Sequence, residues 1–256
     1  MNTALNLISA FTLREIRSRY SGSVLGLAWA FIGPLAMLLI YAFVFGHILK
    51  PGQTELGAPS YIIFLGAALW PWMMFSDGLM RGMGAIKANA SLVRKIAFPH
   101  FVLVLSAVSA TVALHLAGYV VVLALLAFIY GGITLTGIPG ALWVLAALLM
   151  FTLGLSLLLA ALHTLLPDIE QATQPLLMML YFLTPVLYPQ SVIPQPYRDW
   201  FNWNPLALMI QRLREHLFGQ PALNSVDLIV WVIALAMLAI GYAVFVRLSP
   251  HFEDFV

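Results

Sequence analysis

The chain has 256 residues, 62% of them hydrophobic and only 9% charged, with mean hydropathy +0.96. Soluble domains carry roughly 25% charged residues, so a soluble globular class is excluded and a polytopic membrane protein is expected. A net charge of +2 offers no footprint for nucleic acid, and the absence of cysteine excludes disulfides and thiolate metal sites.

Residues 4–20 read as a basic amphipathic helix lying along the cytosolic membrane interface. Leu13, Ile16 and Tyr20 share one face, and Arg14 and Arg17 point the other way. No basic segment followed by a short apolar run and a small-residue cleavage site is visible, so the first span is expected to serve as the insertion signal. A crossing helix needs about 20 mostly apolar residues. Candidate spans are Leu25–Leu49, Tyr61–Leu79, Phe101–Tyr130, Gly140–Leu162, Thr173–Tyr188 and Leu228–Val246. The fifth is short and interrupted by Pro175 and Pro185. Six spans put both termini on one side. With the N-terminus inside, Arg14, Arg17, Arg19, Arg81, Lys87, Arg94, Lys95 and Arg247 are cytosolic. Lys50, Arg198, Arg212 and Arg214 are then outside. This bias favours both termini in the cytosol.

Within the first span, Gly22-x-x-x-Gly26 with Gly33 beyond it has the spacing that lets helices approach closely, within the chain or between copies. Trp29, Phe31, Tyr41, Phe43 and Phe45 lie along the same segment, and Tyr181 and Phe182 lie in the fifth. Such faces pack against lipid or stack on sugar rings. Asp77 and Arg81, four residues apart, are placed to form an ion pair. His115 and His163 fall inside spans, where hydrogen bonds across helices are expected to satisfy them. Lys50 and Glu55 flank an outside loop with no catalytic partner.

Residues 87–98 hold a short cytosolic segment, "ANASLVRKIAFPH" in its wider setting, with Leu92, Val93, Arg94, Lys95 and Ile96 on a helix capped by Asn89 or Ser91. Pro99 ends it at Phe98. Its apolar residues need a surface: the bilayer, the rest of the chain or another protein. Residues 189–220 contain a second short helix, with Asn204 as N-cap, Pro205 in the first turn and Gly219 at its end. Leu206, Met209, Ile210, Leu213 and Leu217 form an apolar stripe, and Arg212, Arg214 and Glu215 supply polar edges. The helix is too short to span, so it is expected to be re-entrant or to lie at the outer surface. Trp200, Phe201 and Trp203 suit that interface.

These segments, in this order, resemble the membrane subunits of polysaccharide ABC exporters, the type-2 group that moves O-antigen, capsule or teichoic-acid chains. The likeness covers nearly the whole chain. It is most specific over "REIRSRYSGSVLGLAWAFIGPLAMLLIYAFVFG" (14–46) and extends through "FLGAALWPWMMFSDGLMRGMGAIKANASLVRKIAFPH" (64–100), "FLTPVLYPQSVIP" and "WNPL". It implies a single all-α integral membrane domain over 1–256. That domain would have six transmembrane helices, an N-terminal interface helix, a cytosolic coupling helix at 88–99 and an outer re-entrant segment. It also implies a homodimer with the pore between two copies and two ATPase subunits docked beneath.

In such a complex Leu92, Val93, Ile96, Phe98 and Pro99 would enter a groove on the ATPase, with Arg94 and Lys95 at its rim. Asp168 and Glu170 would offer a smaller second contact. "HTLLPDIEQATQP" (163–175) departs from the family, because the basic patch many members carry before the aspartate is absent. No G-x-x-x-x-G-K-[ST] occurs, so ATP and Mg belong to the partner ATPase, and no cofactor or metal site is expected in this chain. The phosphate end of a lipid-linked polysaccharide would enter near Arg14, Arg17 and Arg19. The aromatics Trp29, Phe31, Tyr41, Phe45, Tyr181 and Phe182 would line the path. The rivals are an ion-driven secondary transporter, an exporter of a drug or another lipid, and a membrane enzyme of sugar assembly. The transporter rival needs buried ionisable groups, and the enzyme rival needs a carboxylate pair or metal site.

Overall fold

The computed structural model describes residues 2–19, 21–49, 58–96, 98–219 and 222–256. Tyr20, Lys50, Glu55 and Ala97, which figure in the sequence reading, lie outside them. The described chain is all-helical: α1 (Asn2–Arg19), α2 (Trp29–Phe43), α3 (Ala58–Ala88), α4 (Ala90–Lys95), α5 (Phe101–Tyr130), α6 (Ile138–Leu165), α7 (Asp168–Leu183), α8 (Gln195–Asn202), α9 (Pro205–Leu217), α10 (Ser225–Leu248) and α11 (Phe252–Phe255). Among the described residues, five helical segments are long and apolar enough to cross a membrane: Gly26–Ile48, Tyr61–Ala88, Phe101–Tyr130, Leu135–Leu165 and Ser225–Phe255. The stretch expected as a fifth span divides instead into α7 and a non-helical segment from Thr184, because Pro185 disfavours helical geometry in the residue before it.

α3 is the central helix. Of its most apolar stretch 78% is buried, against 22% for α2 and α10. Trp70, Phe75, Leu65, Leu69 and Met74 fill the main core around it. Pro71 sits inside α3 and cannot donate to the carbonyl four residues back. The Tyr119 hydroxyl of α5 donates to that carbonyl, Ala67 O, at 2.9 Å, so the helix runs on with the acceptor satisfied. Close approach is set by glycines other than those singled out from sequence. A Cβ on Gly82 would stand 2.6 Å from the Ser156 Cβ of α6, and one on Gly241 would stand 1.9 Å from Gly154 O. At Gly22, Gly26 and Gly33 a Cβ meets nothing within 4 Å. Within this chain the Gly-x-x-x-Gly pattern packs nothing.

α7 and the segment after it run antiparallel beside α3 for most of its length. Thr173 Oγ1 lies 3.5 Å from Met83 Sδ, the Tyr181 ring lies 5.4 Å from Trp72, and the Tyr61 hydroxyl donates to Leu187 O at 2.7 Å. At helical rise, Tyr61 to Met83 is about 33 Å. α9 packs across the Tyr61 end of α3 with its apolar stripe inward, as expected. A smaller core, including Ile86, Val93, Val104, Phe245 and Phe252, closes the opposite end, beneath α4 and α11. α1 packs on α5 through Ile8, Phe11, Thr12, Glu15 and Arg19. Ser106 Oγ lies 3.3 Å from Ile8 O, and Arg19 donates to Thr111 Oγ1 at 2.7 Å. Leu13, expected on the apolar face, is exposed. The polar partners offered by α5 rotate the helix away from the face its hydrophobic spacing favours.

Candidate functional site

At the α4 end a cavity of about 770 Å³ opens between α1, the first turns of α2, α3, α5 and α7. Arg14, Arg19 and Arg81 line it together with Glu15, Asp77 and Glu170, so its fixed charges balance. Trp29, Pro34 and Met73 supply apolar wall, and His115 and Gln174 complete the polar wall. Two of the three arginines expected at a substrate headgroup, Arg14 and Arg19, thus face this space. Arg17 is exposed and does not line it.

Arg81 takes the third place. Its expected ion pair with Asp77 does not form. Asp77 turns to α5, where His115 Nε2 lies 2.9 Å from Asp77 Oδ2. A carboxylate can only accept, so this nitrogen carries the proton. Arg14 and Arg81 make no ion pair among the described residues; Arg14 lies over the Phe11 ring, 5.9 Å from its centroid. His163 faces α7 only loosely, with Nε2 3.5 Å from Glu170 Oε2, and its buried Nδ1 has no hydrogen-bond partner among the described residues.

The aromatics separate into groups. Tyr41 stacks on Tyr181 at 6.3 Å and meets Phe45 edge-on at 6.1 Å. Tyr181 also contacts Phe182 at 5.5 Å and Trp72 at 5.4 Å. Trp72 is a member of this cluster that the sequence did not single out. Trp29 belongs to the cavity. Phe31 leaves the set, because it packs toward α5 near Gly118.

In the short α4 segment, Arg94, Lys95 and Ile96 are exposed and Leu92 is half-buried, whereas Val93 is fully buried. Val93 packs into the smaller core with Phe252. Phe98 stacks on Phe11 of α1 at 6.2 Å and meets His100 edge-on at 5.4 Å, and His100 stacks on Phe252 at 6.0 Å. Val93 and Phe98, expected to enter a partner's groove, therefore hold the segment on its own chain. The physical reason is spacing: Val93 and Phe98 face inward while Arg94, Lys95 and Ile96 face out. Asn89 caps nothing with its side chain; its amide donates to Ala85 O at 2.9 Å. Pro99 and Asp168 are exposed, and Glu170, placed with Asp168 in the sequence reading, lines the cavity.

At the α9 end, Arg212 and Arg214 are corrected from polar edges to buried groups, 3% and 6% exposed. Arg212 forks onto Asp227, Nε to Oδ1 at 3.0 Å and Nη2 to Oδ2 at 2.6 Å, and also pairs with Glu215. His216 Nε2 lies 3.1 Å from Asp227 Oδ1. Arg214 donates to three main-chain carbonyls: Phe64 O at 3.1 Å, Val186 O at 2.6 Å, and Pro185 O. Its guanidinium lies over the Phe64 ring, 3.4 Å from the centroid. The signal was available in the sequence: Arg214 stands four residues after Ile210 and three before Leu217, on the apolar stripe itself.

Residues 6–218 match the family described as ABC-2 type transporter. Among relatives, the chain is 29% identical over 251 residues to an O-antigen export system permease protein RfbA of Klebsiella pneumoniae, covering 97% of this chain and 94% of the relative. It is 32% identical over 190 residues to the protein of that name in Myxococcus xanthus, covering 73% and 70%. It is 26% identical over 208 residues to the polysialic acid transport protein KpsM of Escherichia coli, covering 81% and 80%. With five long apolar helices and a family match over most of its length, the chain is a multi-pass membrane protein and belongs to the ABC-2 type transporter family.

Proposed function

We propose that this chain is the permease subunit of an ATP-driven exporter that carries a lipid-linked polysaccharide across the cytoplasmic membrane of a bacterium. The near full-length similarity to permeases named for O-antigen and polysialic acid export supports this most directly. ATP and Mg belong to a separate ATPase, in keeping with the lack of a P-loop motif in this sequence. Two copies of the chain and two ATPase subunits make the working complex. The exposed apolar faces of α2 and α7, including Ile40, Phe43, Met178 and Phe182, support a second copy beside them.

Both termini lie in the cytosol, and α7 with residues 184–187 makes the sixth crossing. Its run beside α3 over about 33 Å matches a hydrocarbon core of about 30 Å. The cavity then opens at the cytosolic side. From Tyr61, about 30 Å of helix brings α3 to Arg81, at the cytosolic headgroup level. Arg14, Arg19 and Arg81 there receive the phosphate end of the substrate. The chain of sugars follows past Tyr41, Phe45, Tyr181 and Phe182, whose faces allow sliding contact, with Trp72 buried behind Tyr181. Arg94, Lys95, Ile96 and the exposed part of Leu92 meet the ATPase, with Pro99 and Asp168 at the edge.

The test is co-purification of the ATPase with wild type and with an Arg94→Ala, Lys95→Ala, Ile96→Ala variant. Val93 and Phe98 stay intact because they hold the segment in place. The variant should insert normally and lose most of the bound ATPase. Full retention of ATPase and of export by the variant would reject this docking surface, and a wild type that binds no ATPase would reject the exporter reading.

A further inference from the structure

Asp77 is an unusual group to find where it is. It lies one helical turn deeper than Arg81, about 6 Å inside the headgroup level. An ionisable side chain within a membrane segment pairs with a partner or faces a water-filled cavity, and it is a functional candidate by default. Its surroundings do not neutralise it in the ordinary structural way. The nearby Arg81 leaves it alone, and its one bonded partner is His115. His115 is 7% exposed and fixed in the wall, whereas the Asp77 side chain is 56% exposed and faces the cavity. Oδ2 is held by the imidazole; Oδ1 has no partner among the described residues. The result is an oriented carboxylate with one oxygen presented to an open space.

Two more features line the same cavity. Trp29 lines the cavity, with about half of its surface uncovered. Arg81 offers a fork of donors one turn below Asp77, with Cβ atoms about 6 Å apart. Next to arginines that can take the phosphates, an acceptor carboxylate and an indole face do not suit a second anionic group, which the carboxylate would repel. They suit a ring that carries vicinal hydroxyls, each able to give and to accept a hydrogen bond, and whose C–H face lies on an aromatic plane.

We infer that Asp77, oriented by His115, and Trp29 form a sugar subsite that holds the first hexose attached to the phosphate end of the substrate. This rests on the exporter reading, in which Arg81 and Arg14 meet the phosphates. Asp77 Oδ1 accepts from the sugar hydroxyls, and the indole supports the opposite face. His115 is a positioning residue, since it acts through Asp77. The subsite lets the permease distinguish a loaded carrier lipid from a bare one before transport begins.

The test uses the full-length permease with its ATPase in lipid nanodiscs and two probes, farnesyl diphosphate and farnesyl diphosphoglucose. Wild type should bind the glucose-bearing probe about tenfold tighter, roughly the worth of one hydrogen bond to a charged acceptor at the low end of its range. Asp77→Asn, nearly isosteric, should erase most of that preference and leave affinity for farnesyl diphosphate unchanged or improved. His115→Gln should act in the same direction with a smaller effect. Arg81→Gln should weaken both probes alike. A preference that survives Asp77→Asn, or a wild type that binds both probes equally, overturns the subsite while leaving the phosphate site standing. If Arg81→Gln leaves both affinities untouched, the phosphate site falls, and this inference falls with it.

Discussion

Replacing Arg214 with Met probes how the segment after α7 is held. The substitution keeps length and apolar stem but removes three hydrogen bonds, to Phe64 O, Pro185 O and Val186 O, together with the guanidinium over the Phe64 ring. Pro185 O and Val186 O, outside any helix, lose their donor, whereas Phe64 O stays within the hydrogen-bonded run of α3. An acceptor left unpaired costs about 1–3 kcal/mol in soluble proteins, and a bond between membrane helices is worth about 0.6 kcal/mol on average. The desolvated cation–π contact adds about 2 kcal/mol. Removing a buried cation returns part of its desolvation cost. A net loss of about 2–4 kcal/mol follows, or roughly 4–16 °C in midpoint by the scaling for chains of this size. The assay is thermal unfolding of the detergent-solubilised permease, paired with thiol labelling of a cysteine placed at Thr184, buried in the structure. Labelling at Thr184 should rise well before global unfolding. Arg214→Lys should recover only part of the loss, since an ammonium cannot span three carbonyls with a planar fork. An Arg214→Met permease with wild-type midpoint and protected Thr184 would refute the clamp.

The remaining expectations concern packing. Tyr119→Phe leaves Ala67 O without the donor that replaces the one Pro71 lacks, and should cost about 1 kcal/mol in denaturant titration. Gly82→Val places atoms on the Ser156 Cβ and should cost about 1–3 kcal/mol or block assembly of α3 on α6. Gly84→Ala, with nothing within 4 Å of the new carbon, should be neutral or stabilising by up to about 1 kcal/mol in the same thermal assay. Val93→Ala should lower the thermal midpoint by an amount worth about 1–2 kcal/mol while the ATPase stays bound, separating the residue that anchors α4 from those that face outward.

The crossing helices were legible because a long uncharged run has few other fates. α5 occupies Phe101–Tyr130, the bounds its apolar run suggests. α9 was legible from its cap and stripe: the Asn204 side chain accepts from Leu206 N at 3.0 Å. What escaped were choices settled by partners distant in sequence. Asp77 had Arg81 within reach on its own helix, yet α5 brings His115 closer. The inward face of α1 is set by Ser106 and Thr111 of α5, which spacing along α1 does not encode. Arg212 and Arg214 looked like edges because charge was weighed above position. Asp227 and three main-chain carbonyls make burial affordable for them, and those lie on α10, on α3 and beyond α7. The glycines that matter, Gly82, Gly154 and Gly241, differ from Gly22 and Gly26 only in what stands opposite.

The contact between Val93 and the smaller core has a consequence for biogenesis. Phe252, which closes over that core, is fully buried, yet it is encoded after every crossing helix. During synthesis α4 emerges early but cannot settle until α10 has entered the membrane and Phe252 has followed it. Until then Val93 lacks Phe245 and Phe252 among its core neighbours, and α4 is anchored only in part, through Phe98 on Phe11. Under the proposed docking on α4, a nascent permease is a poor landing place for the ATPase. In the docking proposed on the outward face of α4, the order of the chain would then delay recruitment of the ATPase until the membrane part is complete.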